Sequence, residues 1–172
     1  MSRGKQHRWI HMQHGLLILM IAWLIATSPW VHLYNRVPPS PTFLVWAHLV
    51  IGVLTLVLAL TFSVTCLLQG RWRQYFPWLV GRFRPLLHDL AGLLRLKLPT
   101  NEGGGLFSWI KGFLLLAVLV TSVTGALWWW TAGSSTAVMW RSWHMASVPW
   151  LAGLLVLHVL ATVAHIVQFM RQ

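Results

Sequence analysis

Four apolar segments in this sequence are each long enough to cross a lipid bilayer, which takes about 20 helical residues. They lie at about residues 13–33, 43–68, 106–130 and 145–170. Inside a bilayer the backbone groups of one segment must bond to one another, so each segment is expected to be a helix. The sequence therefore predicts an all-α integral membrane protein. We expect a single domain over residues 1–172, an up-down bundle of four transmembrane helices with a long loop at 69–105.

The amino-acid composition excludes an ordinary soluble domain. Hydrophobic residues make up 57% of the 172 and charged residues only 9%, whereas about 25% of the residues in a soluble domain are charged. The one cysteine, Cys66, lies inside an apolar segment. A disulfide framework or a cysteine-based metal site is therefore not available within one chain.

The basic residues indicate how the chain is oriented. Thirteen Lys and Arg oppose two acidic residues, Asp89 and Glu102, for a formal net charge of +11. They lie mostly between the apolar segments, which favours membrane topology over nucleic-acid binding. The amino-terminal segment and the long loop carry most of them, and the other two loops carry one each, Arg36 and Arg141. By the positive-inside rule, both termini and the long loop are expected to be cytoplasmic.

Part of the long loop has its own helical pattern. Leu86 to Leu96 reads as a short amphipathic helix. Two interpretations carry equal weight: a helix lying on the inner membrane surface, and a packed cytoplasmic cap.

Two histidines in the last apolar segment are the main indication of function. His144 and His158 are fourteen residues apart, which is close to four helical turns, so they share one helix face about 21 Å apart along the axis. An imidazole inside a membrane is costly unless it has a partner. Two partners are therefore expected from the other spans.

The topology pairs these histidines by depth. His14 lies at the cytoplasmic start of the first span, and His48 lies near the outer start of the second. The inner pair is then His14 with His158, and the outer pair is His48 with His144. Haem iron takes one axial imidazole on each side of the ring, so two such pairs predict two haem b groups. No Cys-x-x-Cys-His motif is present, which excludes covalent c-type attachment.

Several alternatives stay open at this point. His11 or His7 could replace His14, since they lie one and two helical turns before it. His32 could replace His48, since it lies at the outer rim. Any one histidine could instead form a hydrogen bond between helices. Zinc or copper would accept imidazole too, although only two histidines meet at each level. Pro149, five residues after His144, is expected to kink the last span near the outer site.

The chain resembles the bacterial di-haem cytochromes b, which include the prokaryotic cytochrome b-561 family and the cytochrome b gamma subunit of respiratory formate dehydrogenases. The last span carries Ser142-Trp143-His144, then Leu157-His158 and Ala164-His165, with the b-561 spacing of fourteen and then seven. The loop and third span, Asn101 to Trp109 and Val120 to Gly125, are similar to the formate dehydrogenase subunit. Gly104 and Gly105 depart from it, since they stand where that subunit has Gln and Lys. The ligand positions of the first two spans are matched by Gln13-His14 and by Ala47-His48 with Gly52.

The resemblance implies the same ligand pairs and an electron path across a bacterial inner membrane, with a quinone as the small reactant. His165 has no haem partner in this pairing and is the candidate for a quinone contact or proton donor. Asn101 is the candidate for a hydrogen bond to a quinone carbonyl. Each residue also has a purely structural interpretation. His165 could be an interfacial side chain that reaches the lipid headgroups, and Asn101 could be the N-cap of a helix.

Three functional hypotheses follow. The first is the membrane subunit of a respiratory oxidoreductase, passing electrons between an iron-sulfur or molybdenum dehydrogenase subunit and the quinone pool. The second is a stand-alone b-561-type quinone oxidoreductase, for example from superoxide to quinone. The third is a non-haem membrane anchor or metal-handling protein. Whether the protein is itself an enzyme is left open, and lipid is a partner in all three.

Overall fold

The computed structural model describes residues 3–95, 99 and 104–170. These residues form six α-helices and two short 3₁₀ turns, Ser28–Trp30 and Pro77–Val80, and they contain no strand. The helices are α1 (Arg3–Thr27), α2 (Phe43–Leu68), α3 (Trp72–Tyr75), α4 (Arg84–Leu93), α5 (Leu106–Trp130) and α6 (Ser135–Met170).

Four of the helical segments are long and apolar enough to cross a membrane, as the sequence predicts. They are Arg8–Trp30, Phe43–Leu68, Leu106–Trp130 and Ser135–Val167. Many of their large apolar side chains are exposed in the chain itself, which suits a lipid environment because lipid covers apolar surface as well as protein does. The prediction of an all-helical protein with four spans is thus confirmed for the described residues.

The last helix is longer than the apolar pattern indicates. It begins at Ser135, ten residues before the expected start of the span at Met145. Arg141, expected in a loop, therefore lies on a helix. The helix also passes through Pro149 without ending; a proline removes one backbone donor, and helices in membranes tolerate this.

The chain divides into two compact units. The first consists of Met1–Thr65 with Ala117–Pro149, and the second of Cys66–Leu116 with Trp150–Gln172.

In the first unit, three consecutive carbonyl groups of the segment after α1 are bonded to α5, α6 and the turn between them. Arg141 Nε donates to Leu33 O at 2.6 Å, and Trp128 Nε1 donates to Tyr34 O at 3.0 Å. The N–H of Gly133 donates to Asn35 O at 2.8 Å. Trp128 is also part of an apolar core with Val45, Leu49 and Ala137. This end of the unit is therefore fixed by both polar and apolar contacts.

In the second unit, α4 is fastened to the start of α5. The carboxylate of Asp89, only 3% exposed, accepts a hydrogen bond from the Leu106 N–H at 2.9 Å. A carboxylate suits this place because the first N–H groups of a helix have no partner within it and carry partial positive charge. A Cβ on Gly105 would collide with the Asp89 carboxylate, so glycine is needed there.

The other face of α4 stays apolar and open. Leu87, Leu90 and Leu94 are 62%, 43% and 89% exposed. The helix thus has the packed contact of a cap and also an exposed leucine stripe of the kind that lies on a membrane.

Candidate functional site

His144 on α6 is held in one protonation form by its neighbour on α5. Its ring Nδ1 lies 2.9 Å from the carbonyl oxygen of Thr121. A carbonyl can only accept, so Nδ1 must carry the proton, and in neutral imidazole Nε2 then has a free lone pair. Ligating histidines commonly donate their other ring N–H in this way, which orients the ring and raises its basicity.

A small polar network surrounds this bond. The Thr121 hydroxyl donates to Ser147 Oγ at 2.9 Å, and Ser147 Oγ donates to the His144 carbonyl at 2.7 Å. The Thr124 hydroxyl reaches the carbonyls of Val120 and Thr121 at 2.8 and 3.0 Å. Both threonines are 7% exposed. Every hydroxyl here is satisfied within the unit, so the His144 ring has a fixed support.

Gly125 makes room for the His144 ring. A Cβ at this position would lie 3.0 Å from Nδ1 and 3.1 Å from Cε1 of the imidazole. The neighbour that restricts residue 125 to glycine is thus the histidine ring itself.

His48 on α2 belongs to the same unit as His144 and is half-buried. The two side chains are near enough to interact electrostatically. The Nδ1 of His48 is buried and has no hydrogen-bond partner. One turn further along α2, a Cβ on Gly52 would meet nothing within 4 Å. Both members of this predicted outer pair thus belong to the first unit and lie on different helices, with open space one turn from His48.

His14 lies on α1 next to Gln13, a polar residue that is almost fully buried. Gln13 is 1% exposed and its Nε2 donates to Thr61 Oγ1 at 3.2 Å. His14 itself is exposed, and its ring stacks on Phe62 with 6.3 Å between centroids. Of its possible substitutes, His11 and His32 are also exposed, and the side chain of His7 lies outside the described residues.

His158 and His165 lie on α6 in the second unit and share one neighbour. The Phe107 ring meets each of them edge-on, with 6.4 Å between centroids in both cases. The Lys111 ammonium lies over the same ring, 5.3 Å from its centroid. Phe107 thus joins the two histidines and a cation at one place. Asn101 lies outside the described residues.

The donor set of the first unit fits a haem better than a zinc-type ion. Among the described residues no three His, Cys, Asp or Glu side chains form a group that could hold a metal ion, whereas structural zinc takes four ligands and catalytic zinc three. Haem needs only one imidazole on each face of the ring. His144 with its free Nε2, His48 on another helix and the open space at Gly52 meet that need.

Three supporting residues of these sites escape sequence reasoning. Thr121 acts through its backbone carbonyl, which any residue would supply, so its side chain gives no signal. Phe107 is one apolar residue among many, so nothing in the sequence marks it. Gln13 was noted only for its place beside His14. A signal was nevertheless present, because Thr121, Thr124 and Gly125 mark one face of an otherwise apolar span.

Comparison with known proteins identifies the family of this chain. A search of curated proteins and a search of solved structures each found no significant match. The family model of prokaryotic cytochrome b561 matches residues 5–169, which is nearly the whole chain. The chain therefore belongs to the prokaryotic cytochrome b561 family: it is a multi-pass membrane cytochrome of the b type that binds haem b and transfers electrons.

Proposed function

We propose that this protein is a di-haem b-type cytochrome that carries electrons across the bacterial inner membrane, between a redox partner and the quinone pool, as the membrane subunit of a respiratory oxidoreductase. The observation that carries the proposal is the fixed tautomer of His144 beside His48. The same bond would join two helices in a simple membrane anchor, and the family match to cytochrome b561 is what favours haem ligation by this imidazole.

The two ligand pairs are His48 with His144 on the outer side, and His14 with His158 on the inner side. Geometry within the first unit supports the outer pair. The inner pair is supported by the fourteen-residue spacing on α6 and by the family match. The orientation, with both termini and the 69–105 segment cytoplasmic, is supported by the concentration of basic residues there.

When bound, haem supplies one-electron chemistry between the ferric and ferrous states of its iron. The chain orients and tunes the ligands. Thr121 holds the Nδ1 proton of His144, and a ligand with a bonded N–H is a stronger electron donor. Gly125 lets the ring approach α5.

The inner end of the path is proposed to exchange electrons with a quinone. His165 is the candidate group to contact the quinone or give it a proton, because imidazole titrates near neutral pH. Its position supports this: His165 and the proposed inner ligand His158 both contact the ring of Phe107, and Lys111 lies over the same ring. Asn101 remains a candidate from the sequence pattern alone.

The test is a reduced-minus-oxidised visible spectrum of the purified protein, with haem counted per chain. We expect about two b-type haems, in agreement with two bis-imidazole sites. One haem would contradict a path across the whole membrane. The complete lack of a b-type signal would favour the non-haem anchor or metal-handling protein instead.

The family match to prokaryotic cytochrome b561 favours a second candidate, a stand-alone quinone oxidoreductase that takes electrons from a small outer reactant such as superoxide. Reduction of quinone by the isolated protein would support this candidate. Activity that appears only with an iron-sulfur or molybdenum subunit would support the first.

A further inference from the structure

Arg141 lies on α6 three residues before His144. Three residues are nearly one helical turn and about 4.5 Å of axial rise. Side chains at this spacing lie on the same side of a helix. Under the proposed orientation, Arg141 therefore sits on the outer side of the outer ligand.

The guanidinium of Arg141 is held on two sides. Its Nε donates to the carbonyl of Leu33 at 2.6 Å, and its central carbon lies 5.4 Å from the centroid of the Tyr34 ring. The segment that supplies both contacts is itself bonded to Trp128 and Gly133. Neither contact uses the four N–H bonds of the two terminal nitrogens. Arg141 is thus a positioned cation with its binding fork still available.

The described residues of its own unit offer this cation no carboxylate side chain. Only two residues of the sequence are acidic, and the described one, Asp89, belongs to the second unit. An arginine in a protein stays charged, and Arg141 is half-buried. A half-buried charge of this kind calls for an anionic partner.

We propose that Arg141 binds a propionate carboxylate of the haem ligated by His48 and His144, an inference that rests on the outer haem of the proposed function. Haem carries two propionates on the rim of its ring, and Arg141 is the cation one turn from the ligand. A guanidinium fork matches a carboxylate with two parallel hydrogen bonds. Its charge also favours the reduced state of the iron, because reduction adds an electron to the site.

The shared chemistry of the partner is an anionic oxygen, which a lipid phosphate could also supply. The test must therefore separate propionate from lipid, and both from a structural role in holding Leu33. Three variants separate the charge from the structural role, and a modified haem separates propionate from lipid. Arg141→Gln removes the charge, Arg36→Gln removes an exposed charge from the same unit, and Trp128→Phe removes a hydrogen bond to the 31–35 segment while leaving the charge in place.

The test measures the midpoint potential of each haem and the rate of haem transfer to an excess of apomyoglobin. In Arg141→Gln we expect one haem to shift to lower potential and to leave roughly tenfold faster, as loss of a charged hydrogen bond implies. Arg141→Lys should keep much of the potential. Arg36→Gln and Trp128→Phe should keep both potentials. An equal shift in Trp128→Phe would overturn the proposal in favour of a structural role.

Reconstitution with haem dimethyl ester, in which both propionates are blocked, separates the two anions. The ester should dissociate from the wild type as fast as unmodified haem dissociates from the Arg141→Gln variant. In that variant, the ester should dissociate no faster than unmodified haem. If Arg141→Gln speeds the release of the ester as much as it speeds the release of haem, Arg141 binds lipid phosphate and the proposal is overturned. His144→Ala distinguishes failure of the proposed function from failure of this inference. If His144→Ala loses no haem, the outer haem site itself is refuted. If His144→Ala loses a haem but Arg141→Gln changes neither potential nor haem release, only the role of Arg141 is refuted.

Discussion

The Nδ1 of His144 and the carbonyl oxygen of Thr121 lie 2.9 Å apart and join α6 to α5 within the first unit. The acceptor belongs to the backbone, so side-chain substitutions at Thr121 leave it in place. The tautomer of His144 is therefore set by the fold of the helix pair.

Removal of one axial ligand should remove one haem. In His144→Ala we expect the outer haem to be lost and the inner haem kept, and in His158→Ala the reverse, because each iron then has one imidazole left. Redox titration of the b-type absorbance measures which component disappears. His88→Ala is the control, since the His88 side chain is 82% exposed on α4, and it should retain both haems. Retention of both in His144→Ala would contradict its role as a ligand.

Gly125→Ala should displace the His144 ring. The new methyl group would lie 3.0 to 3.1 Å from two ring atoms, and overpacking of this kind costs roughly 1–3 kcal/mol. We expect weaker binding of one haem, measured by haem content and by the low-temperature spectrum. Gly52→Ala is a useful contrast, because its Cβ would meet no protein atom within 4 Å. Loss of haem in Gly52→Ala from a stably folded protein would show that the bound group, not the chain, fills that space.

His165→Ala should separate electron transfer from quinone chemistry. We expect both haems to remain at normal content, since His165 is not a proposed ligand, and quinone turnover to fall. Turnover with a quinol analogue and the haem spectrum are measured on the same preparation. Unchanged turnover would return His165 to the role of an interfacial side chain.

Asp89 should contribute to stability through the start of α5. Removal of a capping acceptor usually costs about 1 kcal/mol, so Asp89→Ala should lower the thermal unfolding temperature in detergent. Asp89→Asn keeps an oxygen acceptor for the Leu106 N–H and should lose less. Equal unfolding temperatures for wild type and Asp89→Ala would contradict the importance of this bond.

Tyr75, on α3 outside the spans, should make stability depend on alkaline pH. Burial raises the pKa of its phenol from 10.0 to about 12, with the neighbouring Cys66 adding to the shift and Arg71 opposing it. In the unfolded chain the phenol loses its proton first as pH rises, so the contribution of Tyr75 is fully present below pH about 10 and lost as pH rises through about 12.

The chain has only two tyrosines, so in a Tyr34→Phe background the phenolate absorbance reports Tyr75 alone. We expect a midpoint near pH 12, as the raised pKa indicates. Tyr75→Phe should lack the corresponding loss of stability. A midpoint at the ordinary value would show that Tyr75 is not buried in solution.

The apolar pattern was sufficient to predict the membrane helices. Backbone groups without hydrogen bonds are costly in lipid, so a long apolar segment there must form a helix. Accordingly, α2 and α5 have the bounds of their apolar segments. The start of α6 was not predictable in this way: Ser135 to Met145 mixes polar and apolar residues, and hydropathy locates the lipid-exposed part of a helix rather than its full hydrogen-bonded length. Arg141 was assigned to a loop for that reason.

The sequence by itself determined the chemistry that is available: four apolar spans, histidines on three of them, and only two acidic residues. These follow from composition and spacing, which need no knowledge of neighbours. Only the tertiary structure decided which nitrogen of His144 carries the proton, why residue 125 is glycine, and that Asp89 is the partner of Leu106. Each of these is a contact between residues at least 17 positions apart along the chain, and such contacts exist only after the helices have packed.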